Sequence, residues 1–117
     1  FGKCEVVDET MMDAVTCVSG SSPAYVFMMI EAMADAAVKQ GLPRKQALVF
    51  AAQAVLGSAQ MVLKTGMHPG ALKDMVCSPG GTTIDAVCEL EKMGFRASIE
   101  AAMDVCAKKS KAMTEVK

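Results

Sequence analysis

Two long stretches limit what this chain can fold into, because each is apolar on all but one narrow face. In the first, Glu31, Asp35 and Lys39 recur at i, i+4 and i+8, while Tyr25, Val26, Phe27, Met28, Met29, Ile30, Met33 and Val38 cover most of the remaining circumference. In the second, from Pro43 to about Lys64, Gln46, Gln53 and Gln60 recur at i, i+7 and i+14 among Leu48, Val49, Phe50, Val55, Leu56, Met61, Val62 and Leu63. Helices with so little polar surface must be enclosed. Lipid fits poorly: Glu31 and Asp35 break the first run, and Gln53, Ser58 and Gln60 break the second. Neither then offers the roughly 20 near-continuous apolar residues that a bilayer needs. The expectation is a pair of antiparallel helices packed into the identical pair of a second copy. Ala32, Ala34, Ala36, Ala37, Ala51, Ala52, Ala54 and Gly57 would allow close backbone approach, either there or within one chain.

Composition agrees with helices. At 117 residues and 12.3 kDa the chain is one domain, and a chain of that size buries roughly two-thirds of the surface its unfolded form exposes. It is 52% hydrophobic but only 4% aromatic, without Trp, so the apolar content is Ala, Val, Leu and 11 Met, a mix that favours helix over strand. The predicted class is all-α, with about six helices. Apolar surface beyond what a small core absorbs points to another subunit or domain that takes the remainder, expected here as a homodimer or a higher homo-oligomer. The Met residues and Tyr25 are expected as core filler.

Net charge is −1, which supplies no field for nucleic acid or anionic lipid. Cys4, Cys17, Cys77, Cys88 and Cys106 are odd in number and never in C-x-x-C spacing, so neither a disulfide framework nor a zinc site is indicated. They read as reduced, mostly buried thiols in a cytoplasmic protein. With His68 the only histidine, neither a His-rich metal site nor a Ser-His or Cys-His dyad is expected. The opening Phe1-Gly2-Lys3 resembles no signal peptide and lacks an initiator Met, which suggests a piece of a longer protein.

In chain order, Phe1 to Val7 is a lead-in and Asp8-Glu9-Thr10 is acidic helix-start material. A first helix, about Glu9 to Val18, is predicted to end at Ser19-Gly20, with a restart at Ser21-Ser22-Pro23 as cap residue followed by proline. The second helix runs to about Gln40 and stops at Gly41; the third follows from Pro43. His68-Pro69 opens a short helix, with His68 read as a cap, and Lys73 and Asp74 read as a solvated pair upstream of a loop. A helix from about Thr83 to Lys92 closes at Met93-Gly94. The last, Arg96 to about Val116, is expected to face Ile99, Met103, Cys106 and Met113 inward, with a Glu100, Asp104, Lys108 ladder outward.

The loop Ser78-Pro79-Gly80-Gly81-Thr82-Thr83-Ile84 carries the chemistry. Pro79 fixes a backbone angle, and Gly80 and Gly81 allow dihedrals that a Cβ resists, so successive N–H groups can converge on an anion. Thr82 is the expected N-cap with Asp85 as capping-box partner, which aims the helix dipole and its first-turn amides at the loop. Thr83 adds a hydroxyl that donates and accepts. An ordinary helix-entry loop reads the same way. The residues supply no nucleophile, no metal ligand set and no general base, so any catalysis would depend on a cofactor.

His68-Pro69-Gly70, Leu72-Lys73-Asp74, Val76 and the unbroken run Ser78 to Ile84, with Leu90-Glu91 following, closely resemble the signature of pyrroline-5-carboxylate reductase. Phe1-Gly2 with Val7, Glu9 and Asp13-Ala14-Val15-Thr16 is similar to that family's entry into its C-terminal domain. Ser19-Gly20, Pro23-Ala24-Tyr25 and Gly41-Leu42-Pro43 look like its next helix boundaries. The resemblance implies an enzyme that reduces 1-pyrroline-5-carboxylate to L-proline with NADPH or NADH, the last step of proline synthesis. It also implies an N-terminal Rossmann domain that holds the nucleotide and a helical domain that interlocks two subunits. By that resemblance, backbone amides of the loop from Ser78 to Thr83, with Ser78, Gly80, Gly81, Thr82 and Thr83 as the substrate-binding residues, hold the substrate carboxylate, and Thr83 reaches the ring nitrogen as the catalytic residue. The chain departs from the pattern twice. It has no G-x-G-x-x-G after a strand, so on its own it is expected to be inactive, and Ser22 stands where the family commonly has glycine. The alternative is a stand-alone helical interaction module whose loop is only a cap.

Overall fold

A computed structural model describes residues 11–115, and every regular element among them is helical. The order is α1 (Met12–Thr16), a π-helical turn (Cys17–Ser21), α2 (Ser22–Lys39), α3 (Arg44–Thr65), α4 (Pro69–Val76), α5 (Thr82–Lys92) and α6 (Phe95–Glu115). The all-α class and the six α-helical segments match the expectation from composition. The expected lead-in, the acidic start at Asp8-Glu9-Thr10, Cys4 and the end at Val116 lie outside the described residues.

The described residues divide into two compact units, 28–93 and, together, 11–27 with 94–115. In the first unit the centre is a helical hairpin. α2 closes as its geometry requires: the Leu42 N–H reaches the Ala37 carbonyl at 3.0 Å, the Gly41 N–H reaches Val38 at 2.9 Å, and Gly41 sits at φ +108°. That left-handed residue is the glycine stop visible in the sequence. Pro43, extended at φ −58° and ψ 144°, then opens α3. Ala34, Ala47 and Ala51 are buried at the hairpin seam, with Ile30, Ala37, Val38 and Leu42 packed against them. The close-approach role expected of small residues is therefore filled within one chain by these alanines. Arg44 pairs with Asp35 across the turn, but both are more than half exposed, so the pair adds little stability.

A seam of alanines is a thin core. Fully burying a Leu- or Phe-sized side chain stabilises by about 1.5–3 kcal/mol, yet here the large apolar residues lie outside. Phe50 is 61% exposed and Leu63 72%, and Met28, Met61, Met75 and Met93 are exposed as well. The expectation that the methionines are core filler fails for the single chain, because periodicity marks an apolar face without saying what covers it. For the same reason, among the residues expected to face inward on α6, Ile99 and Met113 are exposed while Met103 and Cys106 are half-buried. The expected ladder on α6 appears as Lys108 Nζ to Asp104 Oδ2 at 3.0 Å. The bilayer argument also needs correction. By length and composition alone α3 is apolar enough to cross a membrane, because Gln53, Ser58 and Gln60 interrupt it without adding charge.

In the second unit, α6 packs against α1 and the π turn. The helix end expected at Ser19-Gly20 does not occur. The backbone passes through it in one widened turn, with the Ser22 N–H bonded to the Cys17 carbonyl. Pro23 explains the widening, since it has no N–H for the turn before it. The Ser22 hydroxyl substitutes, donating to the Val18 carbonyl. Ser110 Oγ donates to Asp13 Oδ1 at 2.7 Å, fixing α6 on α1. Tyr25 is half-buried rather than core, with its hydroxyl bonded to Cys106.

Candidate functional site

The glycines and the proline of the loop produce one tight turn between α4 and α5. Its hydrogen bond runs from the Gly81 N–H to the Ser78 carbonyl at 3.1 Å, and Gly80 sits at φ +69° in the position after Pro79, the arrangement of a type II turn. Gly81 is different. It is extended, at φ −82° and ψ 173°, so it is not glycine for its dihedrals. A Cβ there would lie 2.6 Å from Ser78 Oγ and 3.3 Å from the Ser78 carbonyl oxygen. Gly81 is therefore glycine for room: the Ser78 side chain occupies the space beside it.

This geometry corrects the expected cap. Gly81, not Thr82, is the N-cap of α5, and no side chain caps the helix. Thr82, Thr83 and Ile84 become its first three residues, and Asp85 lies in the first turn, one position beyond that of a capping-box partner. The first four amides of a helix have no partner inside it. Here the Gly81 N–H is spent on the turn, leaving those of Thr82, Thr83 and Ile84 directed out of the helix start. Three converging N–H groups at the positive end of a helix dipole bind a carboxylate or phosphate oxygen readily. Ser78, Gly80 and Thr82 are exposed, and Gly81 and Thr83 are half-buried. All five expected residues thus belong to one turn and the helix start that follows it.

The approach to the turn is fixed by His68, the N-cap of α4, whose Nδ1 accepts from the Gly70 N–H at 2.9 Å. That is the cap read from the sequence. Lys73 and Asp74 pair with each other at 3.2 Å. Sequence reasoning missed a groove of about 350 Å³ between α3 and α4, lined by Met61, Val62, Pro69, Leu72 and Met75 with Ser58 and Lys73 as its polar members. Nothing distinguishes such apolar residues from core in a sequence. The groove is shaped for carbon, with Lys73 as a charged group on its wall.

The family model for pyrroline-5-carboxylate reductase dimerisation matches residues 9–113. Over 115 residues the chain is 66% identical to pyrroline-5-carboxylate reductase of Escherichia coli, covering 98% of this chain and 43% of that protein. It is 57% identical to the Arabidopsis thaliana enzyme over 114 residues, covering 97% and 41%. Among solved structures, 1-pyrroline-5-carboxylate reductase from Streptococcus pyogenes superposes with a TM-score of 0.90 at 40% identity, covering 95% of this chain and 43% of that one. The Plasmodium falciparum pyrroline carboxylate reductase with NADP bound gives 0.87 at 40% identity, covering 92% and 41%. The chain spans less than half the length of these relatives. With the family model matching nearly its whole length, the chain belongs to the pyrroline-5-carboxylate reductase dimerisation family.

Proposed function

We propose that this chain, residues 1–117, is the dimerisation and substrate-binding part of a cytoplasmic enzyme that reduces 1-pyrroline-5-carboxylate to L-proline with hydride from NADPH or NADH. The observation that carries the reading is the uncapped start of α5 behind the Ser78–Gly81 turn, in a chain of this family. The substrate carboxylate accepts from the Thr82, Thr83 and Ile84 amides, with Ser78 at the mouth of the turn and Gly80 and Gly81 keeping it open. Anchored there, the ring presents its nitrogen to the Thr83 hydroxyl, which orients the protonated imine and accepts from its N–H. Reduction of an iminium needs orientation and charge stabilisation more than a base, which fits a site without a histidine or carboxylate dyad.

The described residues do not suit the nucleotide. They include no strand, and so no strand, glycine-rich turn and helix to hold its pyrophosphate. The chain's part is to bind and orient. The exposed Phe50 and Leu63 are covered by a second copy of the chain, which supplies the enclosure its two long helices need.

The test is Thr83→Ala in the full gene product. Loss of a hydrogen bond to a charged group lowers kcat/KM by about 10- to 100-fold, while sedimentation still gives the oligomer. Unchanged kinetics would remove Thr83 from the site, and a monomeric wild type would remove the interface.

A further inference from the structure

Apart from the turn, a second group of reactive side chains lies where α6 meets the π turn. The Cys17 thiol donates to Cys106 Sγ at 2.8 Å, although the two residues are 89 apart in the chain. Cys106 Sγ also lies 3.3 Å from Ser21 Oγ and bonds the Tyr25 hydroxyl. Both thiols are free. A disulfide holds its sulfurs at about 2.05 Å, so this pair has only about 0.8 Å to close.

The two sulfurs are not equivalent. Cys17 is buried and Cys106 half-buried. The hydrogen bond donated by Cys17, then the one shared with Ser21, and a further one shared with Tyr25, hold Cys106 below the ordinary thiol value against the opposing effect of burial. Cys17 is pushed up to about 11, first by its bond to Cys106, then by burial and by the negative charge of Cys106 and Asp13. One sulfur is thus the more accessible and the more readily ionised, and the other keeps its proton in contact with it, the division of labour between an oxidisable and a resolving cysteine.

We propose that Cys17 and Cys106 form a redox-sensitive pair that a peroxide closes into a disulfide, tying α6 to the π turn. The Cys106 thiolate attacks a peroxide oxygen, breaking the O–O bond to give a sulfenic acid and, from hydrogen peroxide, hydroxide. The Cys17 sulfur then attacks the sulfenic sulfur. The S–S bond forms, the S–O bond breaks, and the oxygen leaves as water with the Cys17 proton. Two thiol sulfurs are oxidised and one peroxide is reduced by two electrons. Reversal by a dithiol returns both thiols.

The experiment treats the reduced full gene product with hydrogen peroxide and maps its peptides by mass spectrometry. The expected result is a loss of two hydrogens, one cross-linked peptide joining Cys17 to Cys106, and recovery with dithiothreitol. Cys17→Ser should instead accumulate Cys106 sulfenic acid, trapped by a cyclic diketone, while Cys106→Ser should leave Cys17 reduced. The wild-type map decides the matter even if a variant fails to fold. Oxidation of Cys106 to sulfinic acid without a cross-link, a bridge between another pair, or full thiol retention would overturn the proposal.

Discussion

Gly81→Ala separates two reasons for a glycine, rotation and room. The backbone at 81 has φ −82° and ψ 173°, a region alanine enters without strain, so the dihedral cost is nil. Alanine is a poorer N-cap than glycine by about 0.5–1 kcal/mol. It also restricts the unfolded chain, which returns about 0.4–1 kcal/mol. These two effects nearly cancel. What remains is a Cβ 2.6 Å from Ser78 Oγ and 3.3 Å from the Ser78 carbonyl oxygen. Relief requires the serine to leave its rotamer or the turn to open, and overpacking of this kind costs about 1–3 kcal/mol. Ser78→Ala in the same chain removes the 2.6 Å contact and leaves the carbonyl at 3.3 Å and the Ser78 Cβ at 3.8 Å. A double-mutant cycle should therefore show favourable coupling of about 1 kcal/mol. Urea unfolding at one fixed protomer concentration measures it, since stability in an oligomer depends on concentration. A neutral Gly81→Ala, or one that Ser78→Ala does not relieve, refutes the steric argument.

Two further outcomes follow from geometry elsewhere. His68→Ala removes the cap on α4 and should destabilise the fold by about 0.5–2 kcal/mol, read as a lower urea midpoint; an unchanged midpoint would show that the Gly70 N–H finds another acceptor. Stability should also depend on pH through the thiol pair. Cys106, lowered in the fold, adds stability as pH rises towards the ordinary thiol value of 9.0, whereas Cys17 holds its proton, so its contribution is full below 9.0 and is lost as pH rises to about 11. Tyr25, raised first by burial, loses its contribution above 10. Relative to a Cys17→Ser, Cys106→Ser variant, the denaturation midpoint should rise towards pH 9 and then fall, and a flat difference would contradict the assigned shifts.

What was legible in the sequence was mostly local. Gly41 and Pro43, His68-Pro69 and Met93-Gly94 mark helix boundaries because each acts through its own backbone angles or side-chain cap, and the structure starts or ends helices at all of them. The turn was legible for the same reason at Pro79 and Gly80, whereas Gly81, also expected for its dihedrals, is extended and is glycine for room. The cap moved from Thr82 to Gly81 because the space beside residue 81 is set by where the Ser78 side chain sits, which no propensity encodes. Ser19-Gly20 misled because the register there is resolved by Pro23 and Ser22 in a π turn that also packs on α6, far along the chain. The Cys17–Cys106 contact has no sequence signal, since spacing rules address cysteines that are close in the chain.

The π turn has a consequence for what lies against α6. Cys17, Ser21 and Tyr25 stand four residues apart, and in a regular helix each such step overshoots a full turn by about 40°, so the three would fan out. One widened turn absorbs the overshoot between Cys17 and Ser21, and all three polar atoms meet the single sulfur of Cys106. The set of groups around that sulfur is thus fixed by backbone phase: returning the segment to ordinary α geometry would rotate Cys17, Ser21 and Tyr25 apart around the helix.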